Sequence, residues 1–202
     1  MMQGFIYPDE PHHRKHAPGG YGDYESYRPW LRDEFTFWCV YCLQRERWNS
    51  HEVSFHIDHF VPVSVAPDLE CQYSNLLYAC CRCNSAKTDI IGIPDPCKVA
   101  YGKCLEIQRS GSIEALDDDG VKICESLKLN SPSRVEIRGR WIRTLLALKE
   151  VNPVLYSEYM GFPTDLPDLR PPRTRASENG KPDSVKQCFF VLRESGVLSD
   201  EY

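Results

Sequence analysis

A chain of 202 residues suffices for one sizeable domain, or for a small module with an elaborated surround. Its 42% hydrophobic and 26% charged composition excludes a disordered chain, while fifteen Pro and twelve Gly disfavour long regular elements. The net charge of −5 counts against a uniformly basic nucleic-acid binder, but the acidic stretch 113–125 and the arginine-rich stretch 133–149 show that charge is segregated.

The opening MMQGFIYPDEPHHRKH lacks the apolar core of a secretory signal, and no apolar run is long enough to cross a bilayer. A cytoplasmic location with no membrane partner is therefore expected, and there ten cysteines point to metal binding before disulfides. Residues 1–27, rich in Pro, Gly, His and Tyr, read as an irregular or partly disordered arm. From Pro29, the apolar positions Trp30, Leu31, Phe35 and Trp38 suit a short amphipathic helix. VSFHIDHFVPVSV (53–65) reads as a strand that Pro62 ends. Asn84 or Ser85 caps a helix towards Ile91, stopped by Gly92 and Pro94. A longer helix starts at Ser131 or Ser133 and runs to Glu150, with Ile137, Trp141, Leu145 and Leu148 as its apolar stripe and Asn152-Pro153 as its end. Residues 163–183 read as a linker or wrapping arm, and 185–194 as a last short helix.

Cys39 and Cys42, then Cys80 and Cys83, form two CxxC pairs. Two thiolates at that spacing take one side of a tetrahedral Zn²⁺, and two pairs close a structural site that ties distant segments together. Buried free cysteines and a redox CxxC are the competing explanations. Cys81 makes CCRC ambiguous, but only Cys80 has the right offset to Cys83. Cys71, Cys97, Cys104, Cys124 and Cys188 read as packing residues.

Between the pairs lies His56-Ile57-Asp58-His59. A carboxylate beside a histidine offers a hard oxygen ligand and a base that titrates near neutrality, the two needs of phosphodiester hydrolysis. On an extended segment their side chains leave opposite faces. Alone, Asp-His is weak, and a satisfied histidine is the commoner outcome.

The order CVYC, HIDHFVP, YSNLLYACCRCNSAK resembles the HNH endonuclease family in its four-cysteine zinc form, over roughly residues 30–87. The resemblance implies an α+β architecture. A small ββα-metal module at 28–93 would be stapled by a four-cysteine zinc site, between the irregular arm 1–27 and a mainly helical, loop-rich extension 94–202. It implies His59 as general base, Asp58 and Asn84 as ligands of a catalytic Mg²⁺ or Mn²⁺, and Asn75 as the asparagine that braces the loop. Lys87 matches a lysine expected to contact phosphate, and the products would carry 5′ phosphate and 3′ hydroxyl ends. Asn84 in place of histidine leaves an oxygen-rich site, in keeping with a hard cation.

His56 shares the strand face of Asp58 and suits a metal ligand, a phosphate contact or packing equally. Arg82 is an expected phosphate contact, balanced against a plain exposed charge, and the arginines of 133–149 suit a solvated helix face better than a binding one. The histidines 12, 13, 16 and 51 have no ligand spacing and read as solvated. The expected partner is nucleic acid, DNA before RNA, with a partner protein or a second copy suggested by the acidic balance and the long tail. Bacterial defence or restriction is a plausible setting, and a non-catalytic zinc module is the alternative.

Overall fold

A computed structural model describes residues 4–48, 55–170 and 178–202. His51, Val53, Ser54 and part of the 163–183 stretch lie outside the described residues. The architecture is α+β, with small two-stranded sheets and helices. The strands are β1 (Pro18–Gly19), β2 (Phe55–His59), β3 (Leu76–Cys80), β4 (Leu105–Ile107), β5 (Ile113–Ala115) and β6 (Glu178–Asn179). The helices used below are α1 (Arg28–Glu34), α2 (Cys81–Lys87), α3 (Asp118–Ser126), α4 (Pro132–Val151), α5 (Pro153–Met160) and α6 (Phe189–Glu194).

The central unit is the antiparallel pair β2–β3, in which Asp58 faces Leu77 and His59 faces Leu76. Every residue of β3 is buried, so that strand is covered on both faces, and Phe55 stacks on Tyr78 at 5.0 Å. β3 passes directly into α2: Cys80 is still extended, and the helix begins at Cys81 rather than at Asn84 or Ser85. The second CxxC is thus itself the strand-to-helix junction. Thr88, with φ 42°, ends the helix three residues before the expected Ile91.

The described part of the N-terminal arm, residues 4–27, holds β1 and a short helical turn at Tyr24–Tyr27 and is packed rather than loose. Phe5, Tyr7, His16 and Tyr27 are buried, and the Arg14 guanidinium lies 5.1 Å from the rings of both Phe35 and Tyr73 while donating to the Leu76 carbonyl. The expectation that His12 and His16 are solvated is overturned. His12 pairs with Glu34, and His16 bridges Asp33 and Ser184 with both ring nitrogens. Local spacing carried no sign of this, because the partners come from α1 and from the far end of the chain.

The extension contains a hairpin (β4–β5) and a helix (α3) that periodicity did not reveal, since three-residue strands carry almost no pattern. Asn152-Pro153 ends α4 as expected, but Asn152 also accepts from Leu155 N and so caps α5. The inward face of α4 is not the expected stripe. Arg134, Arg138, Gly139, Ile142 and Leu145 are buried, while Ile137, Trp141 and Leu148 are only half-covered. A Cβ on Gly139 would stand 2.3 Å from the Ser110 carbonyl oxygen, so the turn of the β4–β5 hairpin lies directly on the helix backbone. Arg138 donates to the Gly111 and Leu129 carbonyls there, which is why a solvated reading fails for that side chain. Phe5, Trp48 and Trp141 stack in series at 5.0 and 5.2 Å, joining the arm, the segment after the first CxxC, and α4. The buried side chains of arm, central unit and extension form one main cluster.

Candidate active site and metal centre

Cys39, Cys42, Cys80 and Cys83 are all buried, and their Sγ atoms lie within 4.8 Å of one another. Sulfurs around a tetrahedral Zn²⁺ with bonds of about 2.3 Å would stand about 3.8 Å apart; Cys42 and Cys80 are at 3.7 Å. The donor set, its closure and its spacing fit a structural zinc. Burial pushes the Cys39 and Cys83 thiols up, whereas hydrogen bonds from Cys39, Cys80 and Cys83 pull Cys42 down. The cluster therefore resists holding several thiolates unless a cation compensates them. One cationic side chain already reaches it: Arg134 of α4 donates to Cys83 Sγ at 2.7 Å and to the Leu127 carbonyl at 2.6 Å. Cys71, Cys97, Cys104, Cys124 and Cys188 are free thiols, of which Cys104 and Cys188 are fully covered by the core.

A groove opens between the short helical turn Tyr24–Tyr27, β2 and α2. Tyr24, Glu25, His56, Asp58, His59, Asn84, Ser85, Thr88 and Asp89 line it. The structure thus brings Asp58, His59 and Asn84 to one surface, with His56 exposed at the rim. Two residues on a helix are about 200° apart when separated by two positions. Arg82 is accordingly carried away from Asn84, into a cleft shared with Cys42 and Arg134, and it is not brought to the groove. Among the described lining residues none is Lys or Arg, so the groove is acidic in balance.

His59 closes the edge of β2. Its Nε2 lies 3.0 Å from the Glu70 carbonyl oxygen, which can only accept. In the neutral ring the proton therefore sits on Nε2, the tautomer that leaves the lone pair on Nδ1. The Tyr24 ring meets the imidazole edge-on at 4.8 Å and fixes its plane. Asn75 stands behind the loop that follows β2. Its Oδ1 accepts from Val61 N at 2.8 Å, and its Nδ2 donates to the carbonyls of Val61 and Leu69. The same residue's carbonyl accepts from Phe60 N. All three side-chain bonds serve the 61–69 loop, and that loop leads to the Glu70 carbonyl under His59.

Asp58 is 3% exposed and is held at both oxygens. Tyr41 Oη donates to Oδ2 at 2.6 Å, and Lys87 Nζ lies 3.1 Å from Oδ1. Burial and the adjacent carboxylate push the Tyr41 phenol well up, so it remains a donor. Each carboxylate oxygen has two acceptor positions, which leaves room for a further bond on the groove side. Lys87 is not where a phosphate contact would stand. Its side chain is fully buried, and its ammonium also donates to the His59 carbonyl at 2.7 Å. As Cys83 and Lys87 are one helical turn apart, the knuckle that seats Cys83 also drives Lys87 inward beneath β2. Tyr24, Tyr41 and the Glu70 carbonyl were absent from the sequence reading. Only Tyr41, inside CVYC, had a position that could have suggested it.

Residues 39–89 match the family model described as HNH endonuclease. That segment holds both CxxC pairs, Asp58, His59, Asn75, Asn84 and Lys87, and it is an HNH domain with a four-cysteine cluster. The family suggests nuclease activity in general terms. No curated protein and no solved structure matched the chain.

Proposed function

We propose, from the HNH domain at residues 39–89, that the protein is a metal-dependent endonuclease that hydrolyses phosphodiester bonds in DNA. The observation that carries this reading is the fixed tautomer of His59, whose Nε2 proton goes to the Glu70 carbonyl and leaves Nδ1 as a base. His59 takes the proton from the attacking water. Asp58 and Asn84 supply the oxygen ligands for one divalent cation, Mg²⁺ or Mn²⁺, whose chemistry is to neutralise phosphate charge and stabilise the leaving oxygen. Asn75 holds the loop that orients His59, so it acts through that residue and binds no metal. The acidic lining of the groove supports a cation requirement, because an unneutralised carboxylate surface repels a phosphodiester.

The test is cleavage of a panel of DNA and RNA substrates with Mg²⁺, Mn²⁺ or EDTA. Wild-type protein is expected to cut DNA only with metal. His59→Ala should lose at least about a hundredfold in rate, with thermal stability and zinc content unchanged. Cleavage by His59→Ala at the wild-type rate would remove histidine from its role. A complete lack of cutting by wild type with either ion would favour the rival class, a non-catalytic zinc-stapled nucleic-acid-binding module. Cutting that begins only after addition of a copurified protein would identify a partner-activated effector, the form expected in bacterial defence or restriction.

A further inference from the structure

The position of Lys87 does not fit a lysine that touches substrate. Its side chain is fully covered, its ammonium is 3.1 Å from Asp58 Oδ1 and 2.7 Å from the His59 carbonyl, and no groove surface is formed by it. A buried ammonium is costly unless paired, and here it is paired with the carboxylate assigned above to metal binding. Tyr41 holds the other oxygen of the same carboxylate from a fully buried position. Asp58 is therefore seated before any cation arrives, with one positive charge already beside it.

We propose that Lys87 is a positioning residue that serves as a built-in counter-cation for Asp58, so that a divalent ion in the groove must share the carboxylate with it. Lys87 thereby sets how much metal the site requires while keeping the empty site folded. The physical argument is that a like charge next to a ligand weakens cation binding, whereas the neutral Tyr41 donor fixes the same carboxylate without that repulsion. This inference rests on the reading of Asp58 as a metal ligand.

The test is titration of the full zinc-loaded chain with Mn²⁺ alone, following free Mn²⁺ by electron paramagnetic resonance, for wild type, Asp58→Asn, Lys87→Met and Tyr41→Phe. Wild type should bind one Mn²⁺ that Asp58→Asn loses. Lys87→Met should bind it about tenfold more tightly, from removal of one unit charge near the ion. Tyr41→Phe should stay near the wild-type value or weaken. Equal affinity in wild type and Asp58→Asn would sink the reading of the site, and the inference with it. Loss in Asp58→Asn with unchanged or weaker binding in Lys87→Met would overturn the inference alone. A salt slope for DNA binding reduced by about one in Lys87→Met would return the residue to phosphate contact and likewise overturn it. Should Lys87→Met fail to fold, the wild-type protein decides the matter. With ¹⁵N-labelled lysine, the buried Lys87 ammonium resonance should shift on saturation with Mg²⁺, and a resonance that stays put refutes the proposal.

Discussion

The four-cysteine cluster and the Asp58 carboxylate meet the same inward face of α2 one turn apart, through Cys83 and Lys87, and each is buried with one cationic side chain beside it. They differ in where that cation comes from and in what surrounds it. The cluster is closed, made of soft donors, and receives Arg134 from outside the matched segment. Asp58 borders an open groove of oxygen donors and receives Lys87 from α2 itself. A closed sulfur site can do nothing but hold chain segments together, whereas an open oxygen site can exchange ligands with solvent and substrate. One seven-residue helix serves both, through Cys83 on one turn and Lys87 on the next.

The largest effect that would break this contrast concerns the two metals. Mild EDTA should abolish cleavage and leave the circular dichroism melt intact. Stripping the four-cysteine site with a strong zinc chelator should collapse the fold, since structural zinc contributes about 10 kcal/mol or more in small domains. Simultaneous loss of both properties at one chelator dose would show that the sites are not distinct.

Glu34 supplies a control, a buried carboxylate satisfied by protein donors alone. It accepts from Lys15 N, His16 N, Tyr73 Oη and His12 Nε2. Burial opposes its ionisation, yet the bonds from His12 and the two backbone amides prevail and hold it at about 2 against an ordinary 4.5. A depressed carboxylate stabilises the fold fully above its unfolded value and loses that contribution as pH falls through the folded one. Acid titration between about pH 4.5 and 2 should therefore cost wild type about 3 kcal/mol that Glu34→Gln has already lost. A Gln variant with the wild-type acid limb in denaturant melts would assign the acid sensitivity elsewhere.

Asn75→Ala removes three hydrogen bonds from the loop behind His59 and should cost about 2 kcal/mol in urea melts, with cleavage falling further than stability. Unaltered cleavage would mean that the loop holds His59 without it. The smallest effect belongs to Arg134→Met, expected to weaken zinc retention about tenfold in chelator competition while leaving Mn²⁺ binding in the groove alone. A change in both would mean that α2 transmits strain from one site to the other.

What the sequence could show follows from distance along the chain. The four-cysteine cluster was legible because its geometry depends on local spacing, whereas the roles given to Asp58, His59, Asn75 and Asn84, and the α+β class, came from the resemblance that their order between the cysteines carries. The Lys87–Asp58 pair, the Tyr41 bond and the Glu70 carbonyl under His59 were not legible, because each is made by packing one element on another. The same applies to Arg134 and Arg138. An arginine on a helix looks solvated until a hairpin turn and a thiolate are laid against it. Short strands failed for the opposite reason, as β4 and β5 are too brief to imprint a period.

The reach of Arg134 to Cys83 also bears on what can be exchanged between proteins. A fragment cut at residues 39 and 89 would take along four thiolates and leave their guanidinium behind, together with the Trp141 face that covers Trp48. As a unit of grafting, the HNH-matching fragment is therefore larger than its motif. A chimera that transfers this domain into another scaffold would have to bring the helix 132–151 with it, or build a replacement cation over the fourth cysteine.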